Sequence, residues 1–160
     1  MRGLVRSSAS RAAARRAADL GKRVEYLAFS LAGEAYAVRI SHIAEILRPL
    51  PITEVPRAPR NIIGVASVRG RLVTVIDLRR RLRLPEAPID RRTRILLAAG
   101  EQGEHIGLLV DEVMQVYRMA ESEIEPPQVL GGDQPAHIAG IGRPEGALLI
   151  LLDLTLILAG

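Results

Sequence analysis

The sequence predicts a mainly β protein made of two similar, small antiparallel barrels with short helices, and three observations carry that prediction. Gly64, Gly70, Leu72-Val73, Val75-Ile76, Asp77-Leu78 and Leu82 return 76 residues later as Gly140, Gly146, Leu148-Leu149, Leu151-Leu152, Asp153-Leu154 and Leu158. An earlier stretch, Gly33-Glu34, Tyr36, Val38, Ile40, Ile43 and Ile46, returns 70 residues later as Gly103-Glu104, Ile106, Leu108, Val110, Val113 and Val116. Two segments recurring in one order at nearly one offset imply a duplicated structural unit. Third, the apolar runs are short and divided by glycine turns, which favours small antiparallel barrels over a parallel sheet with crossover helices.

Tyr26 to Leu31, a turn at Ala32-Gly33 and Ala35 to Ile40 read as a hairpin, and Ile43 to Leu47 as a further short strand. Pro49, Pro51, Pro56 and Pro59 then favour extended or turn backbone. Ile62–Val68 and Leu72–Ile76 form the next hairpin across Arg69-Gly70-Arg71, where glycine permits a positive φ. Asp77 suits the N-cap of a short helix, Leu78–Leu82. After a Leu84–Pro88 linker the second copy supplies strands near Ile95–Ala99, His105–Asp111 and Val113–Val116. The polar stretch Glu121–Gln134, with Pro126-Pro127, reads as a mobile loop that buries little. Strands near Ile138–Gly142 and Ala147–Leu152 follow, and Asp153 caps a last helical turn. The expected organisation is a basic, disordered tail over residues 1–23 and a folded region over 24–160. Within that region one barrel is placed roughly at 24–88 and the other at 89–160.

Charge separates the tail from the body. Residues 1–23 hold seven Arg/Lys and one acid, 7 − 1 = +6, whereas residues 24–160 hold fifteen and seventeen, 15 − 17 = −2. A basic face on the body is what nucleic-acid binding would require. The tail lacks the apolar core of a secretory signal. The apolar run Ala147–Leu158 covers twelve residues and includes Asp153, short of the roughly 20 that a membrane helix needs.

Catalytic parts are missing from the pattern. The absence of cysteine excludes thiol chemistry and disulfides. His42, His105 and His137 share no close spacing of the kind a metal site uses. Gly64 to Gly70 is not followed by Lys-Ser/Thr as in a phosphate loop, and no Gly-x-Ser-x-Gly elbow occurs. Asp111-Glu112 and the Glu121, Glu123, Glu125 set read as solvated faces. Neither an enzyme nor a cofactor or metal is expected, which leaves interaction chemistry. Arg69 stands at the tip of an apolar hairpin, and Glu45 lies among Ile43, Ile46 and Leu47, facing outward or pairing with an arginine. The alternative reading is a basic-tailed small barrel that binds nucleic acid.

In these residues the chain resembles the CheW-type chemotaxis coupling proteins from 24 to 160. The matching elements are Tyr26-Leu27-Ala28-Phe29, Ile43-Ala44-Glu45-Ile46 and Ile63-Gly64-Val65-Ala66-Ser67-Val68-Arg69-Gly70. Val73-Thr74-Val75-Ile76-Asp77-Leu78, Gly107-Leu108-Leu109-Val110-Asp111-Glu112-Val113 and Ile124-Glu125-Pro126-Pro127 complete them, with a closing Leu151-Leu152-Asp153-Leu154. Ser67-Val68 replaces the family's common Asn-Leu. The resemblance implies two SH3-like five-stranded barrels around a shared hydrophobic junction. It also implies a cytoplasmic, non-catalytic adaptor between the signalling tip of methyl-accepting chemoreceptors and the regulatory domain of a sensor histidine kinase, reaching the membrane only through the receptors. By the same resemblance Ile43, Glu45, Gly64, Arg69, Gly70 and Gly107 are the expected receptor- or kinase-coupling positions. Arg48, Ile52, Val55 and Arg57 are expected in a kinase-binding loop.

Overall fold

The computed structural model describes residues 22–159 together with Arg11, so most of the basic tail lies outside the described residues. Ten strands are seen among these: β1 (Val24–Leu31), β2 (Glu34–Arg39), β3 (Ile43–Leu47), β4 (Ile62–Val68) and β5 (Arg71–Asp77), then β6 (Arg94–Ala99), β7 (His105–Val110), β8 (Glu112–Met119), β9 (Ile138–Gly142) and β10 (Leu149–Leu152). Two short helices, α1 (Leu78–Arg81) and α2 (Leu154–Ala159), each follow the last strand of a repeat. β8 runs three residues beyond the predicted Val116 because Tyr117 and Met119 are buried inside a barrel.

The strands form two five-stranded sheets, ordered β8-β1-β2-β10-β9 and β3-β6-β7-β5-β4. This composition corrects the expected division at residue 88. Each sheet takes its first hairpin from one repeat and its other three strands from the other. Exchanging β1 with β6, β2 with β7, β3 with β8, β4 with β9 and β5 with β10 converts one order into the other. The registers agree with this relation: Thr74 faces Ile106 in one sheet and Ile150 faces Tyr36 in the other, both in parallel pairs. The Gly64–Val75 pair, beside a bulge, has its counterpart in Gly140–Leu151. The chain passes between the sheets only twice, through the 3-10 turn Ile40–His42 and through the single residue Asp111.

Alternation along the strands explains three hydrophobic clusters. On β1, Tyr26 and Ala28 point into one barrel with Ala37, Tyr117, Met119, Leu149 and Leu151. Leu27, Phe29 and Leu31 point the other way, into a junction shared with Ile76, Leu78, Leu96 and Leu108 from the second sheet. Ala66, Val75, Ile95 and Leu109 fill the second barrel. Central strands buried on both faces account for an aliphatic-rich sequence.

The caps repeat as well. Asp77 accepts a hydrogen bond from Arg79 N–H at 2.9 Å, and Asp153 accepts one from Leu156 N–H at 3.2 Å. The Asp77 amide donates to Asn61 O at 2.9 Å and that of Asp153 to His137 O at 2.8 Å. The polar stretch after Glu121 is anchored at its start, contrary to the expected loose loop. Glu125 and Ile141 exchange two backbone hydrogen bonds of 2.8 Å, and Ile124 packs on the first barrel's interior.

Candidate functional site

Two residues singled out in the sequence meet in space. Glu45 projects from the edge strand β3, and Arg69 occupies the turn after the other edge strand, β4; their side chains form an ion pair through Arg69 Nη2 and Glu45 Oε2. The turn puts Arg69 at φ 50° and Gly70 at φ 79°, and only glycine adopts the latter without strain. The pair rims a cleft of about 570 Å³, whose other walls include Ala44, Leu72, Val73 and His105. Leu72, adjoining the turn on β5, is 77 % exposed although it is a large aliphatic residue. Val73 and Val75 on the same strand are buried, so Leu72 faces outward beside the exposed turn.

An exposed ion pair contributes only about 0–1 kcal/mol to the fold. The side chains of Arg69 and Glu45 are 65 % and 36 % exposed, so a carboxylate from a partner can replace Glu45 at small cost. Arg69 would then offer a bidentate fork beside an apolar Leu72 contact. Leu72 belongs to the repeat but is not among the expected site residues. The available signal was a leucine on the outward phase of a strand beside Arg-Gly.

A second cleft, about 380 Å³, lies between the sheets and is lined by Ser41, His42, Ala44, Ala99, Leu154 and Leu158. Ala44 lines both clefts, so β3 forms a ridge between them. Ile43, at the base of this ridge, packs against the shared junction and anchors the strand.

The other expected positions lie on or behind the barrel wall. Gly64 is buried at φ 151°, and a Cβ there would lie 2.7 Å from Ile52 Cγ2 and 2.8 Å from the Thr53 carbonyl carbon. It lets the 48–61 loop cross the barrel, where Thr53 and Val65 exchange hydrogen bonds of 2.8 and 2.9 Å. Gly107 is buried inside the barrel, where a Cβ would meet Ile95 Cγ2 at 2.7 Å. Both glycines are buried in close packing. Ile52 packs on the barrel's hydrophobic cluster, while Arg48, Val55 and Arg57 are exposed along the loop.

Asp111, expected on a solvated face, is instead half-buried and bound to Arg79. Arg79 Nε and Nη2 donate to its two carboxylate oxygens at 2.8 and 2.5 Å, and Ala32 N–H adds a third bond at 2.9 Å. Burial opposes ionisation of Asp111, but these donors outweigh it and hold its carboxyl below the usual aspartate range. Asp77 shows the opposite balance: burial pushes its carboxyl up, against the N–H of Arg79 and the charge of Arg80. His42 is exposed and His105 and His137 half-buried. Among the described residues no three His, Asp or Glu gather into a metal-holding group.

The nucleic-acid alternative finds no support. Stacking needs exposed rings, and Tyr26, Phe29, Tyr36 and Tyr117, the chain's four aromatics, are all buried.

Comparison with known proteins agrees with this architecture. The CheW-like domain matches residues 25–160. The chain is 34 % identical over 142 residues to the chemotaxis protein CheW of Bacillus subtilis, covering 88 % of this chain and 90 % of that one. It is 34 % identical over 132 residues to protein FrzA of Myxococcus xanthus, covering 81 % of each. The crystal structure of the scaffolding protein TtCheW from Thermoanaerobacter tengcongensis superposes with a TM-score of 0.77 at 30 % identity, covering 84 % of this chain and 92 % of that one. Fold, repeat and sequence together show that this chain belongs to the CheW-like domain family.

Proposed function

We propose that this chain is a cytoplasmic, non-catalytic adaptor that couples methyl-accepting chemoreceptors to a sensor histidine kinase. Family membership supports the coupling role, and the observation that carries the site assignment is the exposed Glu45–Arg69 pair beside Leu72. The receptor's helical tip lies against the β3 ridge, with Arg69 exchanging Glu45 for a receptor carboxylate and Leu72 meeting an apolar position of the helix. The kinase's regulatory domain meets the exposed part of the 48–57 loop through Arg48, Val55 and Arg57. Gly64 and Ile52 hold that loop, while Ile43 and Gly107 hold the barrel behind the ridge. No helix among the described residues is long and apolar enough to cross a membrane, and membrane association runs through the receptors.

Pull-down with a receptor-tip fragment and the kinase regulatory domain tests the reading. Wild type is expected to retain both, and Arg69→Glu to lose about 1–3 kcal/mol of affinity for one of them while keeping its circular dichroism spectrum. Failure of wild type to retain either partner refutes the adaptor. Unchanged binding by Arg69→Glu refutes only the assignment of Arg69.

A further inference from the structure

Sharing no lining residue with the Glu45–Arg69 cleft, a cavity of about 650 Å³ is lined by Arg60, Arg80, Arg81 and Arg83, with Leu84 and Pro85 as its apolar part. No carboxylate lines it. Arg80 pairs with Asp77 and Glu86. Arg81 donates to the carbonyls of Leu156 and Ile157, in the last turn of α2, at 3.1 and 3.2 Å, and forms no ion pair among the described residues. Arg60 and Arg83 are exposed and form no ion pair among the described residues. Arg83 is also held at φ 59°, in the left-handed region that disfavours a branched or bulky side chain.

The duplication supplies an internal control. Offset by 76 residues, the positions of Arg60, Arg80, Arg81 and Arg83 hold Ala136, Leu156, Ile157 and Ala159. The backbone leading into them repeats, down to the paired hydrogen bonds from Asp77 to Asn61 and from Asp153 to His137, although α2 runs on to Ala159 where α1 stops at Arg81 and Arg83 turns to φ 59°. Arg80 and Arg81 serve the fold through these contacts, whereas the other end is built with alanine at the positions of Arg60 and Arg83, so these two exposed guanidinium groups answer to something outside the fold.

We infer that this arginine cleft binds a carboxylate-rich polypeptide segment of a partner protein. Guanidinium forks match carboxylates bidentately, and the Leu84-Pro85 wall accepts the aliphatic part of a Glu or Asp chain. A single-stranded nucleic acid would call for exposed rings, and the aromatics of this chain are buried. A membrane surface or nucleic acid would also draw on a basic body, yet residues 24–160 carry 15 − 17 = −2. The cleft is a local, short-range basic site in an acidic body.

Fluorescence anisotropy of a labelled oligoglutamate peptide against the full chain tests the inference. It compares wild type with Arg60→Ala/Arg83→Gly and with Arg91→Ala/Arg92→Ala, which removes two exposed arginines outside the cleft. Glycine at 83 keeps the positive φ, and the basic tail is common to all three proteins, so its contribution cancels. Peptide affinity should fall about tenfold in the cleft variant alone. Absence of peptide binding, or equal affinity in all three proteins, overturns the inference. So does a loss confined to a single-stranded oligonucleotide or to phosphatidylserine vesicles, which would assign the cleft to those ligands. The outcome is independent of the adaptor reading, because neither receptor nor kinase enters the assay.

Discussion

Replacing Gly64 with alanine probes how the 48–61 loop is held. The new Cβ would fall onto the Thr53 carbonyl and within 2.7 Å of Ile52 Cγ2, at a φ of 151° that an L side chain rarely adopts. Backbone cannot move aside as a flexible side chain can, so the loop must lift. Lifting breaks the two hydrogen bonds between Thr53 and Val65, at about 1 kcal/mol each. The positive φ adds about 1–3 kcal/mol. The sum, about 3–5 kcal/mol, corresponds to a fall in Tm of about 10 °C for a chain of this size. Urea unfolding followed by circular dichroism measures it against two comparisons. Gly70→Ala shares a positive φ but meets nothing within 4 Å, so it should cost only about 1 kcal/mol. Gly140→Ala sits at the equivalent position with 2.6 Å to Ile124 Cγ2 and 2.9 Å to Glu125 O, and should fall between the two. A Gly64→Ala protein no less stable than Gly70→Ala would refute the account of the loop crossing.

Gly107→Ala should destabilise by about 1–3 kcal/mol through overpacking against Ile95, in the same denaturation assay. Arg69→Glu should leave Tm within about 2 °C of wild type, since an exposed pair adds little. Asp111→Asn should cost about 2 kcal/mol at neutral pH. Because the folded carboxyl is held below its unfolded value, its contribution is present above the unfolded pKa and lost as pH falls through the folded one. The variant's stability should therefore decline less than wild type below about pH 4, as urea midpoints across that range would show. Finally, residues 1–88 and 89–160 produced separately should each lack native dichroism and regain it on mixing, since each sheet draws strands from both.

Local chemistry was legible and partner choice was not. Gly70 in its turn, the Asp77 and Asp153 caps and the alternation of β1 and β5 are fixed by residues within a few positions of each other, so they stand close to where the pattern puts them. Which hairpin joins which sheet depends on the shared junction, where Phe29 and Leu27 pack against Leu96 and Leu108 from far along the chain. The repeat itself was visible at two offsets, but two contiguous barrels and two barrels with exchanged hairpins give the same pattern. Glu45 reads from sequence as an acid facing outward or pairing with an arginine, and Arg69 as a turn arginine, with nothing local to join the two. Their pairing needed the β4–β5 turn to approach β3. Gly64 and Gly107 were found as special positions, yet the reason lay in Thr53 and Ile95, which no local pattern connects to them. Asp111 was misread because its partner Arg79 is separated from it by two strands and a linker.

The two passages between sheets have a mechanical meaning. One has three residues and the other a single residue, Asp111, whose carboxylate is held by Arg79 and the Ala32 amide. A hinge needs slack in its connections or a separable interface, and here a splaying motion would have to open the buried junction between the sheets against two short connections. The body therefore behaves as a stiff strut. A push delivered to the β3 ridge displaces the far barrel as one piece, so force crosses the molecule by translation and rotation of a solid and not by bending it.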